Sequence, residues 1–230
     1  MYRAGVVIAI ETEGFFRHFG APDETLNVHG KTVWKYTKED YELYSVRSGA
    51  GEVYAAMAAQ LLISEFHVNA LFNFGVVGGL NEEISQSRLC VVKDVVHYEF
   101  DTSELDPCEP GRYMHYDSVH IPTDAHMRKL ALDAVPELKE VSCASGNRFV
   151  GKPEDKRRLA EEFGCEICEM EAAGVVLTAD WNHVPCLLLK MVADGINGGP
   201  EEFEAELERT SVLCAKALDS VLKACAAKQS

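Results

Sequence analysis

The sequence is short of positive charge and has no long apolar run, and both shortages exclude function classes. Lys and Arg number 22 against 37 Asp and Glu, a net charge of -15, and no cluster of basic residues offsets it. Such a surface repels phosphate backbones and anionic headgroups, so neither nucleic acid nor a membrane surface is an expected partner. Nowhere do the ~20 consecutive apolar residues of a membrane helix occur. The opening "MYRAGVVIAIETEG" meets Glu11 and Glu13 too early for a signal peptide, which leads to the expectation of a cytoplasmic protein. Zinc or redox chemistry lacks its second ligand pair: Cys165 and Cys168 form a lone CxxC, and the eight cysteines are expected to be reduced, small buried thiols. A dinucleotide site lacks its third glycine, because in "SGAGEVYAA" Tyr54 follows Gly49 and Gly51 where that glycine would stand.

The chain is 47% hydrophobic and 26% charged over 230 residues, which suits one large core and a single domain spanning 1–230. Runs rich in Val, Ile and Leu alternate with stretches of helical period, an α/β pattern. Strands are expected at 4–10, 41–49, 70–75, 88–100, 139–146 and 185–194. Several are apolar on both faces, as central strands covered by helices on each side must be. Helices are expected at 51–66, 152–164 and 170–181. A last helix should begin near Pro200, with Phe203, Leu207, Cys214, Leu218 and Val221 on one apolar stripe. The stretch 101–124 holds three of the eight prolines and reads as a long loop, of the kind that shapes a site or an interface.

Acidic residues stand where strands end. Glu11 and Glu13 follow the first strand, Asp194 closes "CLLLKMVAD", and Glu171 opens a helix after "CEICEM". Ligands of open α/β sheets bind outside the carboxyl ends of the strands, so these acids are expected to converge on one crevice. Each has a plainer reading: Glu11, alternating with Glu13, would face solvent; Glu171 would serve the helix dipole; Asp194 before Gly195 would be a turn residue. Gly75, Gly78 and Gly79 in "NFGVVGGL" suit either a tight turn or a close backbone approach to a ligand.

Taken together, "GVVIAIETE", "SGAGEVYAA", "NFGVVGGL", "SGNRF", "CEMEAAG" and "KMVADG", in that order, resemble the nucleoside phosphorylase superfamily. Within it they are most similar to the 5'-methylthioadenosine/S-adenosylhomocysteine nucleosidases. The resemblance implies a three-layer α/β/α sandwich around a mixed, twisted sheet, a homodimer, a small nucleoside substrate, and neither cofactor nor metal. It implies Glu13 as general base, Asp194 as general acid at purine N7, and Glu171 with Met170 on the ribose. Phe149 would stack on the purine, Val150 would read the base edge, Gly78 would lie near the sugar, and Val76 and Phe203 would complete the lining.

The implied chemistry suits these residue types. Breaking an N-glycosidic bond builds positive charge on the ribose, which a carboxylate stabilises while another activates water. The leaving purine needs a proton, and an aspartate at the end of an apolar strand can keep one if desolvation raises its pKa. Asn73 and Phe74 stand where phosphorylases of the superfamily tend to carry an arginine, so hydrolysis is expected rather than phosphorolysis. Val76, Ala193, Ile10 and Ala50 depart from the nucleosidase pattern around the pocket. They leave open a futalosine-type nucleoside hydrolase, a purine nucleoside phosphorylase, or a nucleoside-binding protein without turnover.

Overall fold

The computed structural model describes residues 1–228. In chain order the elements are β1 (Tyr2–Ile8), α1 (Thr12–Phe19), β2 (Glu24–Val28), β3 (Lys31–Thr37), β4 (Tyr41–Arg47), α2 (Glu52–Phe66), β5 (Ala70–Gly79), α3 (Glu82–Ser87) and β6 (Leu89–His97). There follow β7 (Ile121–Pro122), α4 (Ala125–Ala134), β8 (Lys139–Ser145), α5 (Pro153–Phe163), β9 (Ile167–Glu169), α6 (Ala172–Trp181), β10 (Cys186–Asp194) and α7 (Pro200–Ala227).

One mixed sheet organises the molecule. Its centre is parallel: β1 lies between β4 and β5, and β10 lies beside β5. From β10 the path runs through β6, β8 and β9 and returns to β5, so five strands close into a ring while β4, β3 and β2 extend the sheet outward. β5 and β10 are buried at every position, which explains why both read as unbroken apolar runs rather than alternating ones. Helices cover both faces: α1, α4 and α7 enclose one core around Phe15, Phe72, Leu189 and Leu218. Another core, with α2 and α6, gathers Leu62, Val77, Val175 and Leu188. All eight cysteines are free thiols.

Local chemistry sets the element ends. Asp124 caps α4 by accepting a hydrogen bond from the Met127 amide at 2.8 Å, and Asn81 caps α3 through the Ile84 amide at 2.9 Å. Pro153 and Pro200 open α5 and α7. The expected strands and helices recur within a few residues, with two exceptions that matter for the site. The glycine segment "GVVGG" is not a turn but the last half of β5. At the other end, β1 stops at Ile8 and α1 already begins at Thr12, which turns the acids after β1 in different directions.

Candidate active site

The C-terminal ends of β1, β4, β5, β8, β9 and β10 meet around a cavity of about 190 Å³. This is where an α/β sheet leaves a crevice between diverging connections. Three neighbouring strands bring their ends into register there: Gly78 of β5 pairs with Cys168 of β9 on one side and with Asp194 of β10 on the other. The register of β10 shifts between Val192 and Asp194, an irregularity of the kind that re-aims a side chain at a strand end. Gly78, Val76, Phe149, Val150, Met170, Glu171, Asp194 and Phe203, all expected in the pocket, line this cavity.

Glu13 does not line it. It occupies the first turn of α1, exposed to water, where it suits the helix dipole. The acid in the cavity is Glu11, which was expected to face solvent and is instead 5% exposed. Its Oε1 accepts a hydrogen bond from the Val76 amide and its Oε2 one from the Ile10 amide, both at 2.9 Å. Two such bonds hold the carboxylate in one orientation. The carboxylate also fills the space beside Gly75, where a Cβ would lie 2.7 Å from its Oε1.

Glu171 is buried and reaches across to the start of α2, where its Oε1 accepts a hydrogen bond from the Gly51 amide at 2.8 Å. It stands at the N-cap position of α6, but its side chain does not cap that helix. Glu169 takes that role, accepting from the amides of Glu171 and Ala172 at 3.0 and 2.9 Å. Burial, with the nearby Glu169 carboxylate adding to it, pushes the Glu171 carboxyl up to about 8. Glu169 in turn is paired with Lys190 Nζ at 2.9 Å, and Lys190 also donates to Asn73 Oδ1 at 2.6 Å. Sequence reasoning passed over Glu169 and Lys190. A lysine inside "CLLLKMVAD" was the available signal, because a charge in a doubly covered strand must have a buried partner.

Asp194 is 1% exposed. Its Oδ2 accepts a hydrogen bond from Lys156 Nζ at 2.5 Å, while Oδ1 is buried without a partner among the described residues. Burial pushes its carboxyl above the ordinary aspartate range against the pull of that lysine. At the cavity rim Phe149 meets Phe203 edge to face, ring centroids 5.3 Å apart. Phe149 is 44% exposed, which leaves ring surface available to a flat ligand. The site thus offers four carboxyl groups held at fixed points, Glu11, Glu169, Glu171 and Asp194, aromatic surface at its rim, and one buried oxygen with no hydrogen-bond partner among the described residues.

A family model for the phosphorylase superfamily matches residues 5–227. The chain belongs to the phosphorylase superfamily. Among its relatives, an aminodeoxyfutalosine nucleosidase of Campylobacter jejuni is 28% identical over 209 residues, 88% of this chain and 89% of that one. A 5'-methylthioadenosine/S-adenosylhomocysteine nucleosidase of Treponema pallidum is 28% identical over 216 residues, 80% of each chain. The Helicobacter pylori 5'-methylthioadenosine/S-adenosylhomocysteine nucleosidase, solved in complex with a pyrrolopyrimidine-bearing pyrrolidinol, superposes with a TM-score of 0.90 at 27% identity, covering 96% of this chain and 98% of that one. The fold of this superfamily member is therefore the nucleoside phosphorylase fold, with its mixed sheet and flanking helices.

Proposed function

We propose that this phosphorylase-superfamily enzyme hydrolyses the N-glycosidic bond of 5'-substituted adenosines. Its substrates in this reading are 5'-methylthioadenosine, S-adenosylhomocysteine and 5'-deoxyadenosine, and the released base is adenine. The coarser statement, a nucleosidase of the methylthioadenosine or futalosine type, rests on the family match and on relatives of both names. The observation that carries the finer reading is the meeting of Glu11, Glu171 and Asp194, from three distant parts of the chain, in one cavity beside an aromatic ring.

In this mechanism the purine stacks on Phe149, and Asp194 delivers a proton to N7 as the C1'–N9 bond breaks and its electron pair passes to the base. Glu171 accepts hydrogen bonds from the ribose hydroxyls. Glu11, and not Glu13, removes a proton from the attacking water, and its charge favours the cationic ribose. Water is preferred to phosphate on electrostatic grounds: among the described residues lining the cavity the only cation is Arg148, which is tied to Asp155 at 2.7 Å. A phosphate dianion next to Glu11 would be repelled.

The same chemistry extends to aminodeoxyfutalosine-type nucleosides, a reading favoured by the equal similarity of the two kinds of relative. Purine release across a panel of 5'-methylthioadenosine, S-adenosylhomocysteine, 5'-deoxyadenosine, an aminodeoxyfutalosine and inosine, with and without phosphate, separates these substrates. The expected result is release without phosphate and fastest turnover of a 5'-substituted adenosine. Strict dependence on phosphate overturns the proposal.

The assembly in this reading is a homodimer acting in the cytoplasm. α2 exposes Val53, Tyr54 and Met57 at 68%, 55% and 59%, and α6 ends at Trp181, which is 85% exposed. A second copy of the chain covers this apolar face. Eight free cysteines suit a reducing compartment.

A further inference from the structure

Lys156 has no part in the reaction outlined above, yet it is wholly buried on α5, a helix otherwise rich in exposed charge. Leu159, one turn on, shares its buried face. A lysine in such a place is costly unless its ammonium is paired. Here it points at the end of β10 and the connection that follows, donating to Asp194 Oδ2 at 2.5 Å, to the Gly195 carbonyl at 2.7 Å and, more weakly, to the Gly198 carbonyl at 3.4 Å. Its stem passes Gly78, where a Cβ would come within 3.5 Å of both Lys156 Cε and Asp194 Oδ1. The strand-end glycine therefore leaves room for lysine, aspartate and cavity to adjoin.

We propose that Lys156 is the positioning residue of the catalytic acid: its ammonium fixes Asp194 Oδ2, leaves Oδ1 as the one oxygen that carries a proton to the purine, and stabilises the carboxylate left behind. The inference rests on the nucleosidase reading. In the step concerned, the proton moves from Asp194 Oδ1 to N7, the C1'–N9 pair goes to the base, and the negative charge that appears on Asp194 lies against an existing cation. Without the lysine, burial alone would make Asp194 a weak acid that keeps its proton. The adjacent ammonium favours the ionised form and so makes the proton easier to give.

The other groups around Asp194 do not replace this cation. From α7, Glu202 accepts from the Gly195 amide and from Arg88, and despite burial Arg88 holds its carboxyl below the ordinary range. Arg88 itself is spent on Glu202 and on the carbonyls of Val192 and Ala193. From β9, burial pushes the Cys168 thiol up to about 12, so it stays neutral. Lys156 is the only cation in contact with Asp194 among the described residues.

The test combines two readouts on wild type, Lys156→Met and Lys156→Gln: the pH profile of purine release, and the titration of the Asp194 carboxyl carbon by 13C NMR, assigned with Asp194→Asn. The Gln variant keeps a donor toward Asp194 without the charge, and serves if the Met variant does not fold. Expected in both is an upward displacement of the alkaline limb of kcat/KM and of the carboxyl midpoint by about one pH unit or more. Plateau kcat should fall roughly tenfold or more with KM little changed. A limb and midpoint that stay at the wild-type pH, or move down, overturn the proposal even if kcat falls, because that outcome describes a structural lysine. The NMR midpoint is read without turnover. Wild type that releases no purine from any nucleoside overturns the nucleosidase reading itself, whereas purine release with an unmoved midpoint overturns only the role of Lys156.

Discussion

Lys190 Nζ lies 2.9 Å from Glu169 Oε2, with both side chains almost wholly buried beside the cavity wall. The pair joins β10 to the N-terminus of α6, since the same Glu169 oxygen accepts from the amides of Glu171 and Ala172. Breaking one side leaves an uncompensated buried charge. Lys190→Met should therefore cost about 3–5 kcal/mol of unfolding free energy in urea titration, and adding Glu169→Gln to it should restore part of the loss. Additive effects of the two substitutions would argue against the pair as a unit.

Glu11 and Glu13 are separated by one residue and by opposite surroundings. Glu11→Gln should reduce purine release by a factor of about 10² or more, the usual contribution of a positioned base. Glu13→Gln, altering only an exposed helix turn, should leave the rate within about twofold and stability within ~0.5 kcal/mol. Steady-state assays on both variants decide between the two acids.

Gly75→Ala offers an independent check on Glu11. The added methyl would sit 2.7 Å from Glu11 Oε1, so the carboxylate must move and give up its bonds to the Val76 and Ile10 amides. A loss of kcat approaching that of Glu11→Gln is expected in a folded protein, read by kinetics alongside circular dichroism.

Glu171 imposes a pH-dependent cost. Its carboxyl titrates near 8 in the folded protein and near 4.5 unfolded, so the native state binds the extra proton between those values and stability falls as pH rises through that window. Glu171→Gln removes the titration. Thermal melts should show the variant gaining on wild type by roughly 3–4 kcal/mol from pH 5 to pH 8.5, while it loses turnover because the ribose loses its carboxyl acceptor. A constant stability difference across that range would contradict the assigned environment.

The apolar outer face of α2 predicts the assembly. Met57→Glu should convert a dimer to monomer in sedimentation velocity, through charge placed in a covered patch. An unchanged sedimentation coefficient would remove this face as the interface.

How far the sequence revealed the site differs from residue to residue. Glu171, Asp194 and Gly78 were reached through the six ordered segments that resemble the nucleoside phosphorylase superfamily; taken alone, Glu171 read equally well as a helix-end acid, Asp194 as a turn residue and the glycines as a plain turn. Glu11 was misread because alternation after β1 was taken to continue. The structure ends the strand at Ile8 and starts α1 at Thr12, so one acid turns inward and the next but one outward. Phe15, Phe16 and Phe19 at helical spacing were the signal for that helix. The β2–β3 hairpin, turned at His29 and Gly30 with positive φ at both, carried its own signal in "NVHGKT" and went unnoticed. The partners of Lys156 and Lys190 were not legible, because they lie 38 and 21 residues away and only the folded sheet brings them together.

Glu11 and Asp194 are expected to work as base and acid on one nucleoside in the same cavity. The direct measurement is adenine release from 5'-methylthioadenosine in phosphate-free buffer by wild type, Glu11→Gln and Asp194→Asn. Wild type is expected to sustain release, and each folded variant to lose a factor of at least about 10². Turnover by either variant at the wild-type rate, or none by wild type until phosphate is supplied, would contradict these roles.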